Sequence, residues 1–294
     1  MRDLGKVITA MVTPFRQDMS IDYDKAAELA VYLANNGSEG LVVHGTTGES
    51  PTLTHEEEYE LYRVVKKALN GKAKLIAGTG SNSTSTSIRS TREAEKIGVD
   101  AAMLVVPYYN KPSQDGMYEH FKAVAESTKL PLIIYNIPGR TGVNMLPETV
   151  ARAAKIKNYV GFKDAAGSLD QTSATVAACP KDFIVWSGDD SLTLPMMSVG
   201  AVGIISVASH IAGREISEMV KAYHSGNVKK AQEIHLRLLP LFKALFITSN
   251  PTPVKAALEM VGHPVGIPRL PLLEANDSEK AQIRKVLVGL GFIK

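Results

Sequence analysis

Short runs rich in Val, Ile, Leu and Ala recur along the chain, each followed by a longer stretch with apolar residues three and four apart, and this alternation restricts the fold most. Runs at residues 7–12, 40–44, 73–77, 101–106, 132–135, 159–163, 183–187 and 202–207 predict eight strands. Stretches at 23–36, 56–70, 85–97, 117–127 and 147–155 predict amphipathic helices between them. Their boundaries carry helix-end chemistry: Thr54 with Glu57 forms a capping box, Pro147 suits a first turn, and Gly37, Gly71 and Gly98 follow helix ends. The runs are apolar on both faces, as strands of a buried parallel sheet must be. Eight strand-then-helix units predict an α/β fold, a (β/α)8 TIM barrel. The alternative, an open doubly wound sheet, lacks its fingerprint. Gly78-Thr79-Gly80 has no third glycine, and Gly45-Thr46-Thr47-Gly48-Glu49-Ser50 has no phosphate-loop lysine. Beyond about residue 226 the pattern turns purely helical, at 228–246, 254–261 and 278–290. The expected organisation is a catalytic barrel at 1–225 and a C-terminal helical domain at 226–294.

Composition excludes several function classes. The 294 residues are 45% hydrophobic and 21% charged, which suits a globular protein with a large core. A net charge of +3, with its 33 Lys and Arg dispersed, gives no footprint for nucleic acid. No apolar segment approaches the ~20 residues that span a membrane, and residues 1–6 lack the apolar region of a signal peptide. A cytoplasmic location is the expectation. Cys179 is the only cysteine, so no intrachain disulfide or cysteine metal cluster can form, and its neighbours suggest a helix end.

In such a barrel, function belongs at the carboxyl ends of the strands. Those ends hold residues 44–50, 78–82, 107–110, 135–142, 163–164, 187–190 and 205–206. Lys163 closes the run Tyr159-Val160-Gly161-Phe162-Lys163. An amine at the mouth of an apolar strand is desolvated, which lowers its pKa toward a nucleophilic neutral form able to make a Schiff base with a carbonyl. On its own, the residue reads first as a strand-end lysine reaching to solvent. With three tyrosines, an arginine and several hydroxyls at neighbouring strand ends, the set suggests carbonyl activation by an amine. No His-Glu-x-x-His pair occurs, and His44 and His55 stand apart in sequence, so no metal is expected.

Four segments carry a resemblance. Gly-Thr-Thr-Gly-Glu-Ser at 45–50, Pro-Tyr-Tyr-Asn-Lys-Pro at 107–112, Tyr-Asn-Ile-Pro-Gly-Arg-Thr-Gly at 135–142 and Gly-Phe-Lys-Asp at 161–164 resemble the dihydrodipicolinate (4-hydroxy-tetrahydrodipicolinate) synthases. These are pyruvate-dependent class I aldolases, grouped with N-acetylneuraminate lyase. The resemblance implies a lyase that condenses pyruvate with L-aspartate 4-semialdehyde on the lysine-biosynthetic route, without a cofactor. It also implies a homotetramer built as a dimer of dimers. Residue by residue, it implies that Lys163 forms the Schiff base and that Tyr135, Thr47 and Tyr109 relay protons, with Tyr109 supplied to the neighbouring subunit. Thr46 and Thr47 would hold the pyruvate carboxylate with backbone N–H groups at a helix N-terminus. Arg140 would clamp the carboxylate of the second substrate, and the carbonyls of Gly188 and Ile205 would line the pocket.

Ser50, His55, Asn82 and Tyr108 match positions of an inhibitory lysine site in this family, whereas Pro51, Glu58 and Thr86 depart from the sensitive pattern. Weak or absent feedback by lysine is expected. Two other readings remain open: another 2-oxo acid aldolase such as N-acetylneuraminate lyase, and a non-catalytic barrel that binds a small acid. Arg140 and Thr46 argue against the sialic acid reading, since its members usually lack that arginine and carry serine at the first position.

Overall fold

The structure, a computed structural model, describes residues 4–294; the first three residues of the segment read above for a targeting signal lie outside the described residues. Eight strands form a closed parallel barrel in chain order: β1 (Val7–Ala10), β2 (Gly40–Val43), β3 (Lys74–Gly78), β4 (Ala101–Val105), β5 (Leu132–Asn136), β6 (Tyr159–Asp164), β7 (Ile184–Ser187) and β8 (Gly203–Ser206). The predicted barrel is therefore the observed fold. Nearly every strand residue is buried, which is why the runs are apolar on both faces. Among the described residues, no helix is long and apolar enough to cross a membrane.

Cα proximity divides the chain into two compact units, Leu75–Ile205 with the N-terminal residues up to Lys6, and Val7–Lys74 with Ser206–Lys294. The first holds β3 to β8 with α3 (Thr84–Ile97), α4 (Gln114–Glu126), α5 (Pro138–Thr141), α6 (Pro147–Ala153), α7 (Leu169–Ala178) and α8 (Thr193–Ser198). Its ladder pairs Tyr135 with Lys163 and Asn136 with Asp164 between β5 and β6, then Lys163 with Trp186 between β6 and β7. Gly161 keeps its place because the Trp186 ring fills the space a Cβ would need, 2.4 Å from Cζ3. The indole N–H donates to Gly5 O at 3.0 Å. Cys179 caps the C-terminal end of α7, as its neighbours suggested.

The second unit pairs β1 with β2 in register Ile8↔Gly40 and carries α1 (Tyr23–Asn35) and α2 (His55–Leu69). The helices α9 (Ser209–His224), α10 (Val228–Ala244), α11 (Thr252–Met260) and α12 (Asp277–Gly289) follow β8 without further strands. The Thr54–Glu57 capping box is present, and the left-handed residue closing α2 is Asn70, one position before the predicted Gly71. The first strand stops at Ala10 rather than residue 12 for a local reason. The Val12 N–H, which a longer strand would use, donates to Nε2 of His210 at 3.1 Å, while His210 Nδ1 binds Val207 O at 2.8 Å. Accepting at Nε2 while Nδ1–H donates requires a neutral ring, and burial lowers the pKa of His210 to about 4.

Candidate active site

Lys163 ends the β6 run with its side chain almost wholly buried, at 5% exposure. Its Nζ sits 4.1 Å from the centroid of the Tyr135 ring, the residue opposite it in the β5–β6 register. Desolvation is the largest influence on the amine. It lowers the pKa to about 7, with Arg140 pushing the same way and the buried Asp190 carboxylate pushing back. A drop from 10.5 to about 7 costs roughly 5 kcal/mol of stability at low pH relative to an exposed lysine. Desolvation combined with named charged neighbours is how active sites displace a pKa, which makes Lys163 a functional candidate. At neutral pH a large fraction of Lys163 is the free amine.

The acid beside it in sequence is not its partner. Asp164 accepts from Thr172 Oγ1 at 2.7 Å and from Ala166 N at 2.9 Å, and burial raises its pKa. It fixes the start of α7. Asp189 likewise turns to its own loop, accepting from the N–H and the hydroxyl of Ser191. Asp190 is the acid that acts on Lys163.

Gly188, expected to contribute a carbonyl, has a steric role that sequence reasoning missed. A Cβ there would stand 3.1 Å from Lys163 Cε and 2.8 Å from Ala165 Cβ. Its N–H donates to Asp164 O at 2.7 Å, so the backbone cannot withdraw freely. Any side chain at this position would push the reactive lysine. Ile205 is buried in β8, as its run predicted.

Arg140 is exposed on α5, a single helical turn absent from the predicted helices. The excursion carrying it is closed by amides: Asn136 Oδ1 accepts from Met145 N at 3.0 Å, and Asn136 Nδ2 donates to Asn144 Oδ1 at 2.8 Å. Tyr109 is 87% exposed and its backbone is left-handed, with φ 70°. For an aromatic residue this costs on the order of 1 kcal/mol. The segment is tied by Asn110 Nδ2 to Asn82 O at 2.9 Å. Tyr108 beside it is half-buried.

In the second unit, Thr46 and Thr47 lie in a turn after β2 and not at a helix N-terminus, contrary to expectation. The next helical residues are the three-residue 3₁₀ turn Ser50–Thr52 and then α2. The turn is closed by Glu49 N to Thr46 O at 3.1 Å and by Ser50 N to Gly45 O at 3.3 Å. The buried Thr47 hydroxyl accepts from Asn250 Nδ2 at 2.9 Å, and Thr13 Oγ1 donates to Gly48 O at 2.6 Å. Asn250, a residue the sequence reading did not single out, thus orients Thr47.

His44 and His55, eleven positions apart, converge on the buried carboxylate of Glu58. His55 Nδ1 lies 2.9 Å from Oε2, His44 Nδ1 3.6 Å from Oε1, and Tyr62 OH donates to Oε1 at 3.1 Å. The departure at Glu58 is therefore an inward-facing charge that already engages His55. Among the described residues, no group of three or more His, Cys, Asp or Glu side chains is arranged to hold a metal ion.

A buried low-pKa lysine, a tyrosine ring beneath it and a glycine that leaves it room are what a Schiff-base aldolase needs. Residues 3–289 match the model of the dihydrodipicolinate synthetase family. The chain belongs to that family. A 4-hydroxy-tetrahydrodipicolinate synthase of Thermosynechococcus vestitus is 57% identical over the whole of both chains. One from Moorella thermoacetica is 57% identical over 98% of this chain and 99% of its own. Among solved structures, the dihydrodipicolinate synthase of Bacillus anthracis superposes with a TM-score of 0.96 at 51% identity, covering 98% of this chain and 99% of that one. The enzyme of Cyanidioschyzon merolae, solved with lysine bound, gives 0.97 at 48% identity over 99% of each chain.

Proposed function

We infer that the protein is a 4-hydroxy-tetrahydrodipicolinate synthase that condenses pyruvate with L-aspartate 4-semialdehyde. The observation that carries this reading is the buried Lys163 amine, with a pKa of about 7, lying over Tyr135 at the end of β6. The neutral amine attacks the pyruvate ketone, and loss of water gives an iminium. Removal of a methyl proton then gives the enamine, which adds to the aldehyde. The amino group of the incoming substrate displaces Lys163 and closes the ring. Tyr135, Thr47 and Tyr109 move the protons, and the buried hydroxyl of Thr47, oriented by Asn250, supports that role. The N–H groups of Thr46 and Thr47 hold the pyruvate carboxylate from a closed turn. Arg140 holds the carboxylate of the semialdehyde in a guanidinium fork. The carbonyls of Gly188 and Ile205 face the substrates.

The exposed, left-handed Tyr109 suits a residue handed to another subunit, and the assembly we propose is a homotetramer, a dimer of dimers. A cytoplasmic location and a C-terminal helical domain at 226–294 complete the reading. At Ser50, His55, Asn82 and Tyr108 we propose weak or absent lysine feedback, because Glu58 already engages His55. A clear sub-millimolar inhibition curve would refute this.

Parallel assays of the pyruvate-loaded protein with aspartate semialdehyde and with N-acetylmannosamine test the substrate. Turnover of the semialdehyde is expected. Turnover of the sugar alone would keep the lysine chemistry and overturn the substrate. Absence of any turnover together with absence of a Lys163 adduct would favour a non-catalytic barrel.

A further inference from the structure

Residues 250–269 supply the lysine of a buried ion pair that the reaction does not use. Lys255 Nζ lies 2.6 Å from Glu49 Oε1, and both side chains are only 2% exposed. The same ammonium lies 4.2 Å from the centroid of the Phe15 ring and 3.3 Å from Ile267 O. The other carboxylate oxygen, Oε2, accepts from Arg269 N at 2.8 Å. The Arg269 guanidinium stacks on Phe15 at 4.5 Å and donates to both oxygens of Glu57 and to Met19 O. Gly266 permits this approach: its φ is 72°, and a Cβ there would lie 2.1 Å from Phe15 O.

Taking a lysine and a glutamate out of water is unfavourable, and an apolar pair of the same volume is often more stable. Stability alone is therefore a poor reason for the pair. What distinguishes it is its attachment point. Glu49 is the last residue of the turn at 46–49, its N–H bonds Thr46 O, and its backbone is held left-handed at φ 58°. Asn250 Nδ2 grips Thr47 Oγ1 from the segment that also supplies Lys255. Three contacts from 250–269 thus converge on one short turn.

We propose that Lys255 is a positioning residue that, through Glu49, fixes the Thr46–Thr47 turn, so that residues 250–269 set the affinity for pyruvate. This rests on the assignment of that turn to the pyruvate carboxylate. The charged pair gives what an apolar pair would not: a directional anchor that fixes the rotation of the peptide groups aimed at the ligand.

The test is borohydride trapping of pyruvate on the full-length protein, with the adduct at Lys163 quantified by mass against pyruvate concentration. The variants are Lys255→Met, the double variant Lys255→Met with Glu49→Gln, and Lys255→Arg. Lys255→Met is expected to raise half-saturating pyruvate about tenfold or more, the scale of effect of a sub-ångström misplacement. Half-saturation by the semialdehyde should stay within about twofold. The double variant removes the unpaired buried charge and is expected to recover thermal stability but not pyruvate affinity, a split that a merely structural role would not produce. Lys255→Arg is expected to restore part of the affinity. If Lys255→Met does not fold, the double variant decides; if neither folds, Glu49→Gln, which keeps the shape and loses the charge, decides by the same shift. Parental half-saturation in a folded variant overturns the proposal. A parent protein that forms no adduct at all would overturn the pyruvate reading itself, and the two failures are distinct.

Discussion

Gly188→Ala tests how closely the backbone is shaped around the reactive amine. The new Cβ would meet Ala165 Cβ at 2.8 Å and Lys163 Cε at 3.1 Å. Carbon atoms pack best at about 3.5–4.0 Å, so the contacts fall short by roughly 0.7–1.2 Å and 0.4–0.9 Å. The Asp164 carbonyl, 3.1 Å away, blocks a third direction, and the Gly188 N–H bond to it resists a backbone shift. Part of the relief must come from Lys163, whose Nζ then leaves its place over Tyr135. Overpacking of this kind costs about 1–3 kcal/mol, or a fall in Tm of roughly 2–10 °C. A displacement approaching 1 Å at the nucleophile costs up to ~100-fold in rate. The expected outcome is a folded protein with kcat/KM for pyruvate reduced about 10- to 100-fold and slower trapping by borohydride. A folded variant with activity within about twofold of the parent would refute the reasoning.

Adduct formation with pyruvate should rise with pH through about 7 and then level, because the neutral amine attacks and burial brings its pKa down to that value. A rise continuing toward 10.5, the value of an unperturbed lysine, would show that Lys163 is solvated. Acid should destabilise the fold through His210 and His120, both lowered to about 4 by burial. Their stabilising contribution is complete above the unfolded value of 6.5 and is lost as pH falls from there through 4, roughly 3 kcal/mol for each ring. Urea midpoints measured across that window in the parent and in a His210→Gln variant check it, and identical slopes would count against it. Tyr109→Phe should lose most activity, and mixing it with Lys163→Ala should restore some if sites are shared between subunits. Full activity of the single Tyr109 variant would remove that residue from the relay.

The barrel was legible because its strands are buried on both sides, so each reads as an unbroken apolar run with helix-end residues after the next stretch. Lys163 was legible for the same reason, as the one cation closing such a run. Other contacts depend on residues remote in sequence. Asn250 and Thr47 are 203 positions apart, and Lys255 sits in an otherwise ordinary helix pattern until Glu49 meets it. The short helix holding Arg140 was hidden because four residues that include Pro and Gly carry no periodicity. The steric role of Gly188 needs a neighbour on another strand, β6, and no local pattern encodes that. The His55–Glu58 contact was within reach, since residues three apart on a helix share a face. The helix N-terminus at Thr46 and Thr47 came from the resemblance alone, and no residue pattern there encodes it; Glu49 ends the turn in a left-handed conformation before any helix begins.

The central claim is that the buried amine of Lys163 forms a Schiff base with pyruvate. Incubation with pyruvate and borohydride, followed by peptide mapping, tests it most directly. The account predicts one reduced pyruvyl group per chain, located on the peptide containing Lys163 and absent from Lys163→Ala. An unmodified Lys163, or modification spread over surface lysines, would contradict it.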